Sequence, residues 1–354
     1  MGSVFPPQGH CATEPHVRTA HCRVALVPSM GLGDGCVYLV LAANLARAGY
    51  AVTVFSNHLA ALDHWFPLFD IQVLPAPQQT FEMLNKYDLV ISDLGSMVTR
   101  HDVAARDLAD RYVFVGTCKI NPDLMVNPAG AALARLPAEK VRLLEPLAAA
   151  AGSLRCVDDD SVSMVEQAVR FCTDRLGLTR ACKDVGIEAP SHLCQRRFSK
   201  RVMIHPLSHN EKKNWPRGKF VALARRLEAQ GWQPQFVLSP KERALHGGDF
   251  TGGFAAPEFP DVSALAAHLY ESGYVIGNDS GVGHLGSMLG VPVLTIYRKR
   301  RDGFCWRPDW AEGAVVRPSL TLGFARHMWP SFMSVSRVQR AFVDLQNACE
   351  KRHR

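Results

Sequence analysis

The sequence has no long apolar run, no paired cysteines and no large charge excess, and each absence removes a class of protein. The longest uncharged run near the start, Gly35–Ala46, is too short to cross a bilayer. The apolar stretch Gly281–Tyr297 is interrupted by His284 and Pro292, so it reads as part of a soluble βα pattern. Ten cysteines are scattered, with no CxxC pair and no zinc-type Cys/His spacing. They read as reduced core residues of a cytoplasmic protein. The net charge of +7 is too small to imply nucleic acid, but it favours an anionic partner or a membrane surface. No repeat of fixed period is present. Residues 1–20 mix charges, prolines and histidines without a continuous apolar core, and read as a flexible leader rather than a signal peptide.

What is present is an α/β alternation. The 354 residues are 47% hydrophobic and 21% charged, enough for two domains with real cores. Strands are expected at Arg23–Pro28, Ala51–Phe55, Ile71–Leu74, Leu89–Ser92 and Tyr112–Gly116. Helices are expected at Cys36–Ala48 and Leu59–Trp65, then at Glu139–Ala151, broken by Pro146. Another is expected from the acids Asp158–Asp160 to about Gly177. Thr117–Pro137 reads as a long surface loop. Residues 186–200, with Pro190 and the basic cluster Arg196, Arg197 and Lys200, read as a linker. A second series follows. It has strands at Val202–His205, Gln235–Leu238, Tyr274–Ile276, Val293–Tyr297 and Val315–Val316. Its helices are Gly218–Gln230, Val262–Glu271 capped by Asp261, and Ser336–Lys351 with Val338, Phe342, Leu345 and Ala348 on one face. The division is then 1–20, 21–185, 186–200 and 201–335. A terminal helix, 336–354, is left free to pack back on the N-terminal domain. Strands separated by helices imply parallel sheets, whose ligands bind beyond the carboxyl ends of the strands.

Four loops at such ends carry the polar residues. The most specific is Gly277–Tyr297, GNDSGVGHLGSMLGVPVLTIY, where a strand meets a glycine turn and a short helix ended by Gly290. The helix N–H groups above Asp279, Ser280, Gly281 and Gly283 suit a phosphate or diphosphate; equally, Asp279 and Ser280 fit as plain caps. In the first loop, Ser29–Gly35, Asp34 at a helix start suits a general base, or again a cap. Its GxGxG spacing is not the GxGxxG of dinucleotide binders, and Ser56-Asn57 offers no acid at the next strand end, which argues against a nicotinamide oxidoreductase. The third loop runs from His205 to Pro216 and holds Ser208, Lys212 and Lys213. A lysine there serves as a point charge on a diphosphate, or is one of a solvated pair. Last, Glu242 follows Gln235–Leu238 and could accept from ribose hydroxyls, or be a first-turn helix charge.

The order of Gly33-Asp34, Lys213-Asn214-Trp215-Pro216, Glu242, Asp279-Ser280-Gly281, His284-Leu285 and Leu289-Gly290-Val291-Pro292 resembles glycosyltransferase family 9, the bacterial heptosyltransferases of lipopolysaccharide core assembly. The resemblance implies a GT-B fold, two Rossmann-like doubly wound α/β domains facing a central cleft. It implies inverting transfer from a nucleotide diphosphate sugar, typically ADP-heptose, with no metal and no cofactor. Asp34 is then the catalytic base. Ser208, Lys213, Glu242, Asp279, Ser280, Gly281, Gly283 and His284 would bind the donor. The implied acceptor is an anionic saccharide or glycolipid, with a peripheral contact to the inner face of the cytoplasmic membrane left open. Two departures stand out. Where relatives carry a small glycine-containing loop, this chain has Tyr297-Arg298-Lys299-Arg300-Arg301, a candidate clamp for phosphate or acceptor through Arg298, Arg300 and Arg301. Leu207 stands where a glycine is common. A nucleotide-sugar epimerase, or a non-catalytic nucleotide-sugar binder, shares the same pattern.

Overall fold

The computed structural model describes residues 22–101, 108, 112–117, 131–246, 248–300, 303–321 and 326–352. The chain divides into two compact units, Met1–Asp158 with Met164–Glu188, and Asp159–Ser163 with Ala189–Arg354.

The first unit is built on β1 (Arg23–Val27), α1 (Leu32–Arg47), β2 (Ala51–Phe55), β3 (Asp70–Gln72), α2 (Pro77–Leu84), β4 (Leu89–Ser92), α3 (Leu94–His101), β5 (Val113–Gly116), α4 (Ala138–Ala148), β6 (Gly152–Ser153) and α5 (Met164–Asp174). Its strands lie in the order β3-β2-β1-β4-β5-β6, every pair parallel. The chain leaves β1 in one direction to β2 and β3, and returns on the other side to β4, which makes the edge between β1 and β4 a topological switch point. Helix α1 is buried from Gly35 to Leu45, because its sequence is apolar all round rather than on one stripe. The single buried amide in it, Asn44, is fully used: it donates to Val40 O at 2.7 Å and Cys182 O at 2.8 Å and accepts from Cys182 N at 2.9 Å.

In the second unit, β7 (Phe198–His205), α6 (Arg217–Glu228), β8 (Gln233–Phe236), α7 (Pro240–His246), α8 (Val262–Tyr270), β9 (Ser272–Asn278), α9 (Gly281–Met288), β10 (Val293–Ile296), β11 (Gly313–Val316) and α10 (Val335–Arg352) follow one another. The sheet order is β11-β10-β9-β7-β8, again wholly parallel, with its switch point between β7 and β9. Gly286 lets α9 lie close on this sheet: a Cβ there would stand 2.9 Å from Val275 Cγ2. Gly290, at φ 78°, ends the helix in the left-handed region that glycine favours.

Several boundaries differ from the sequence expectation. Helix α1 starts four residues earlier, which places Asp34 in its first turn. Helix α4 continues through Pro146 and stops at Ala148; a proline near a helix end forfeits one bond without breaking the remaining turn. The acids Asp158–Asp160 do not start α5. Asp159 instead accepts from Ser161 N at 2.8 Å in a separate turn grouped with the second unit. Strand β7 begins inside the segment read as a linker. Of the Thr117–Pro137 loop, residues 118–130 lie outside the described residues, and Ala131–Leu133 forms a helical turn with Ala132 and Leu133 buried. The terminal helix α10 does not reserve its apolar face for the N-terminal domain. Val338, Phe342, Leu345 and Cys349, rather than Ala348, join the second unit's core, where the Phe342 ring meets Trp232 and Tyr274 edge-on at 5.1 Å each.

Phe342→Ala should therefore cost about 3–5 kcal/mol of stability, the usual loss for a buried aromatic. Val343→Ala, on the outer face of the same helix, should cost less than ~1 kcal/mol. Urea unfolding followed by tryptophan fluorescence measures both.

Candidate active site

The polar side chains of each unit collect beyond the carboxyl ends of the strands, around the two switch points. In the first unit Asp34 sits in the first turn of α1. It does not cap the helix: the cap position is Gly31, with no side-chain bond to the helix amides. The Asp34 carboxylate instead folds back over Gly31, where a Cβ would lie 2.4 Å from its Oδ2. It accepts a hydrogen bond from Thr117 Oγ1 at 2.6 Å, just past the end of β5. Asp93, the first residue after β4, is the neighbouring acid. Burial pushes its carboxyl above the ordinary range, the Ser96 N–H (3.1 Å) pulls against that, and the negative charge of Asp34 adds to the rise. Asp93 and Thr117 escape the sequence reading. The available signal for Asp93 was an acid directly after the apolar run LVIS; Thr117 had none, because its partner is 83 positions away.

The second unit gathers three loops. Asn278, buried at the end of β9, accepts from Trp215 N at 3.0 Å and donates to Pro206 O at 2.6 Å. This ties the loop after β7 to the glycine turn. Trp215 is buried, and its indole N–H donates to Met333 O at 3.0 Å, so the loop carrying Lys213 is anchored at its far end. Lys213 Nζ then reaches Asp279 Oδ2 at 2.7 Å. Ser208 Oγ lies 2.7 Å from Asn214 Oδ1 and 3.0 Å from Asn210 O, bonds internal to its own loop.

Ser280 is the cap residue of α9 by backbone conformation, yet its hydroxyl makes no cap bond. Its Oγ lies 2.8 Å from His205 Nδ1. His205 Nε2 is 3.6 Å from Glu242 Oε2. Burial works to raise the Glu242 carboxyl, but the His205 ring and the Ser239 N–H at 2.7 Å outweigh it and hold the group at about 2. Glu242 is thus a carboxylate at any physiological pH, and an acceptor only. Gly281 and Gly283 begin α9; the Gly283 N–H donates to Ser280 O at 3.2 Å, and no side chain at the cap position meets the other first-turn amides.

His284 sits under this turn rather than on its surface. It is 3% exposed, its Nδ1 has no hydrogen-bond partner, and the Trp306 and Trp310 rings stand edge-on at 5.9 and 6.0 Å. Burial lowers its pKa to about 4, partly offset by Asp279 and reinforced by Lys213, so the imidazole is neutral at pH 7. In the loop after β10, Tyr297 is buried and stacked on Phe304 at 3.9 Å. Arg298 is half-buried and Arg300 exposed, while Arg301 lies outside the described residues. Among the described residues no three His, Cys, Asp or Glu side chains come together as a metal site requires.

The model of glycosyltransferase family 9 (heptosyltransferase) matches residues 139–316, half of the chain, including every second-unit loop described above. The chain belongs to this family. It is a glycosyltransferase, and among solved structures the family's fold recurs over nearly its whole length. A glycosyltransferase family 9 protein from Veillonella parvula aligns with a TM-score of 0.60 at 16% identity, covering 93% of this chain and 98% of its own. E. coli heptosyltransferase WaaC, solved with ADP, aligns at 0.61 and 16%, covering 91% and 99%. E. coli ADP-heptose lps heptosyltransferase II aligns at 0.59 and 14%, covering 93% and 99%. No curated protein matches the chain. At such identities the structures speak for the fold alone, and that fold is GT-B, with two parallel α/β units. In this glycosyltransferase Asp34 lies outside the family match, so its placement rests on the first unit's own geometry.

The buried His284 makes the second unit acid-sensitive. The unfolded chain binds a proton at His284 near the ordinary 6.5, whereas the folded chain resists until about 4. Stability is therefore lost as pH falls from 6.5 to 4, by roughly 3 kcal/mol for this group. His284→Gln should flatten that part of the stability–pH curve, measured by urea unfolding at pH 7 and pH 4.5.

Proposed function

We propose that this glycosyltransferase is inverting and metal-independent, and moves heptose from ADP-heptose to a saccharide acceptor such as lipopolysaccharide core. The observation that carries the reading is the second-unit set at one switch point: a lysine, a glycine-started helix and an ionised acid. A nucleotide diphosphate asks for these three kinds of group. Glu242 would accept from the ribose hydroxyls. Lys213 would turn from Asp279 to the diphosphate, and the amides at the start of α9 would meet the same charge. WaaC was solved with ADP and with ADP-2-deoxy-2-fluoro heptose, which favours an adenine nucleotide here.

Asp34 would take the proton of the acceptor hydroxyl as its oxygen attacks the anomeric carbon. The bond to the diphosphate breaks on the opposite face, which inverts the centre and releases ADP. Thr117 holds one oxygen of Asp34, so the carboxylate is oriented before the acceptor arrives. Arg298, Arg300 and Arg301 would face the phosphates or the anionic acceptor. The donor is consumed as a substrate, and the reaction asks for no cofactor. A lipid-linked acceptor implies work on the inner face of the cytoplasmic membrane, by peripheral contact.

Asp34→Asn should leave ADP affinity within about twofold and lower transfer from ADP-heptose by ~10²–10⁴-fold, the usual contribution of a general base. Transfer at a near wild-type rate would remove Asp34 from the mechanism. Appearance of an isomerised sugar from donor alone would identify an epimerase instead.

A further inference from the structure

His205 is the last residue of β7, the strand from which the second sheet is wound in both directions. On one side β8 leads to Glu242, and on the other β9 leads to Ser280. The ring is 7% exposed and touches both: Nδ1 is 2.8 Å from Ser280 Oγ and Nε2 is 3.6 Å from Glu242 Oε2. Its backbone is constrained as well. Asn278 holds the carbonyl of the next residue, Pro206, and a Cβ at Gly277 would lie 2.8 Å from His205 O, so β7 and β9 run close together here.

Of the two partners of this ring, Ser280 lacks the bond its position would ordinarily supply, whereas Glu242 shares a reciprocal pair with Ser239, its Oε2 accepting from Ser239 N at 2.7 Å and its own N–H donating to Ser239 Oγ at 3.3 Å. Ser280 stands at the cap of α9, but its hydroxyl does not cap the helix; only its carbonyl takes a first-turn amide, that of Gly283 at 3.2 Å. On Glu242, the same oxygen, Oε2, takes both the Ser239 N–H at 2.7 Å and the His205 contact at 3.6 Å. A cap bond from Ser280, or a free rotation of Glu242, would each spoil one end of a nucleotide site.

We infer that His205 is a positioning residue for the donor, holding Glu242 for the ribose and Ser280 for the diphosphate at once, so that both ends of the nucleotide are recognised through one buried ring. This rests on reading the second unit as the ADP-sugar site. No proton is transferred and no bond is made: the imidazole acts only through the two groups that it orients.

The two ring nitrogens can be separated by substitution. Asn puts a polar atom near Nδ1, within reach of Ser280 but short of Glu242. Gln puts one near Nε2, within reach of Glu242 but past Ser280. Calorimetry with ADP, 2′,3′-dideoxy-ADP and AMP gives a ribose ratio (dideoxy-ADP over ADP) and a diphosphate ratio (AMP over ADP) for each protein. His205→Asn should keep the diphosphate ratio and lower the ribose ratio by roughly tenfold, the size of one charge-assisted hydrogen bond. His205→Gln should do the reverse, and His205→Ala should lower both. Ratios that stay at wild-type values in all three variants overturn the inference. So does a uniform loss for all three ligands, which is what mere loosening of the fold would produce; thermal unfolding of each variant reports that loosening separately. A wild-type protein that binds ADP with no ribose preference defeats the inference alone. A wild-type protein that binds none of the three nucleotides defeats the ADP-site reading as well.

Discussion

The side-chain amide of Asn278 joins two loops that are 63 to 72 residues apart in the chain. It is buried, and both of its ends are used. A buried amide left half-paired would cost about 1–3 kcal/mol, so the loop after β7 and the turn after β9 have to meet in one register. That register sets where Trp215 enters the core, and Trp215 sets where the Lys213 turn begins. The cation of the site is placed by an uncharged residue that bears none of the chemistry.

Around this tie the second unit keeps charges in a state suited to exchange. Lys213 rests on Asp279, with 35% of the lysine side chain still exposed, so a more highly charged anion can draw it away. Glu242 is ionised at the cost of burial, and it stays ionised because the His205 ring and a backbone N–H supply what water would have supplied. His284 shows the opposite outcome. Burial outweighs the nearby Asp279 charge, and with no partner at Nδ1 the ring is held neutral. Two histidines of one unit thus have different duties: His205, at the end of β7, links Ser280 and Glu242, and His284, inside α9, fills buried space beside two indole rings.

In the first unit the acid at the head of α1 is similarly oriented from a distance. Gly31 leaves the space into which the Asp34 carboxylate folds, and Thr117 holds it there. Asp93 puts a second carboxyl beyond the same sheet, and the charge of Asp34 adds to the cost of ionising it.

Much of this was legible in the residues. Alternating apolar runs and glycine stops located most strands and helices, since burial on a parallel sheet demands continuous apolar segments whatever the wider fold. The acids and lysines stood out only through their order along the chain, since each taken singly also fits a cap or a solvated charge. What escaped was the set of partners. A serine at a helix start reads as a cap from local sequence, and only the neighbouring strand shows that its hydroxyl goes to His205. Asn278 reads as a turn residue, and only the crossover brings Pro206 and Trp215 to it. The apolar face of α10 was plain from its spacing, but which sheet it covers was not, because periodicity specifies a face and not its partner. The sequence by itself determined the α/β rhythm, the chemical types at the strand ends and the family they resemble, all of them consequences of local composition. Tertiary structure alone decided which side chain each of those groups meets, since strand order around a switch point joins residues that no local pattern connects.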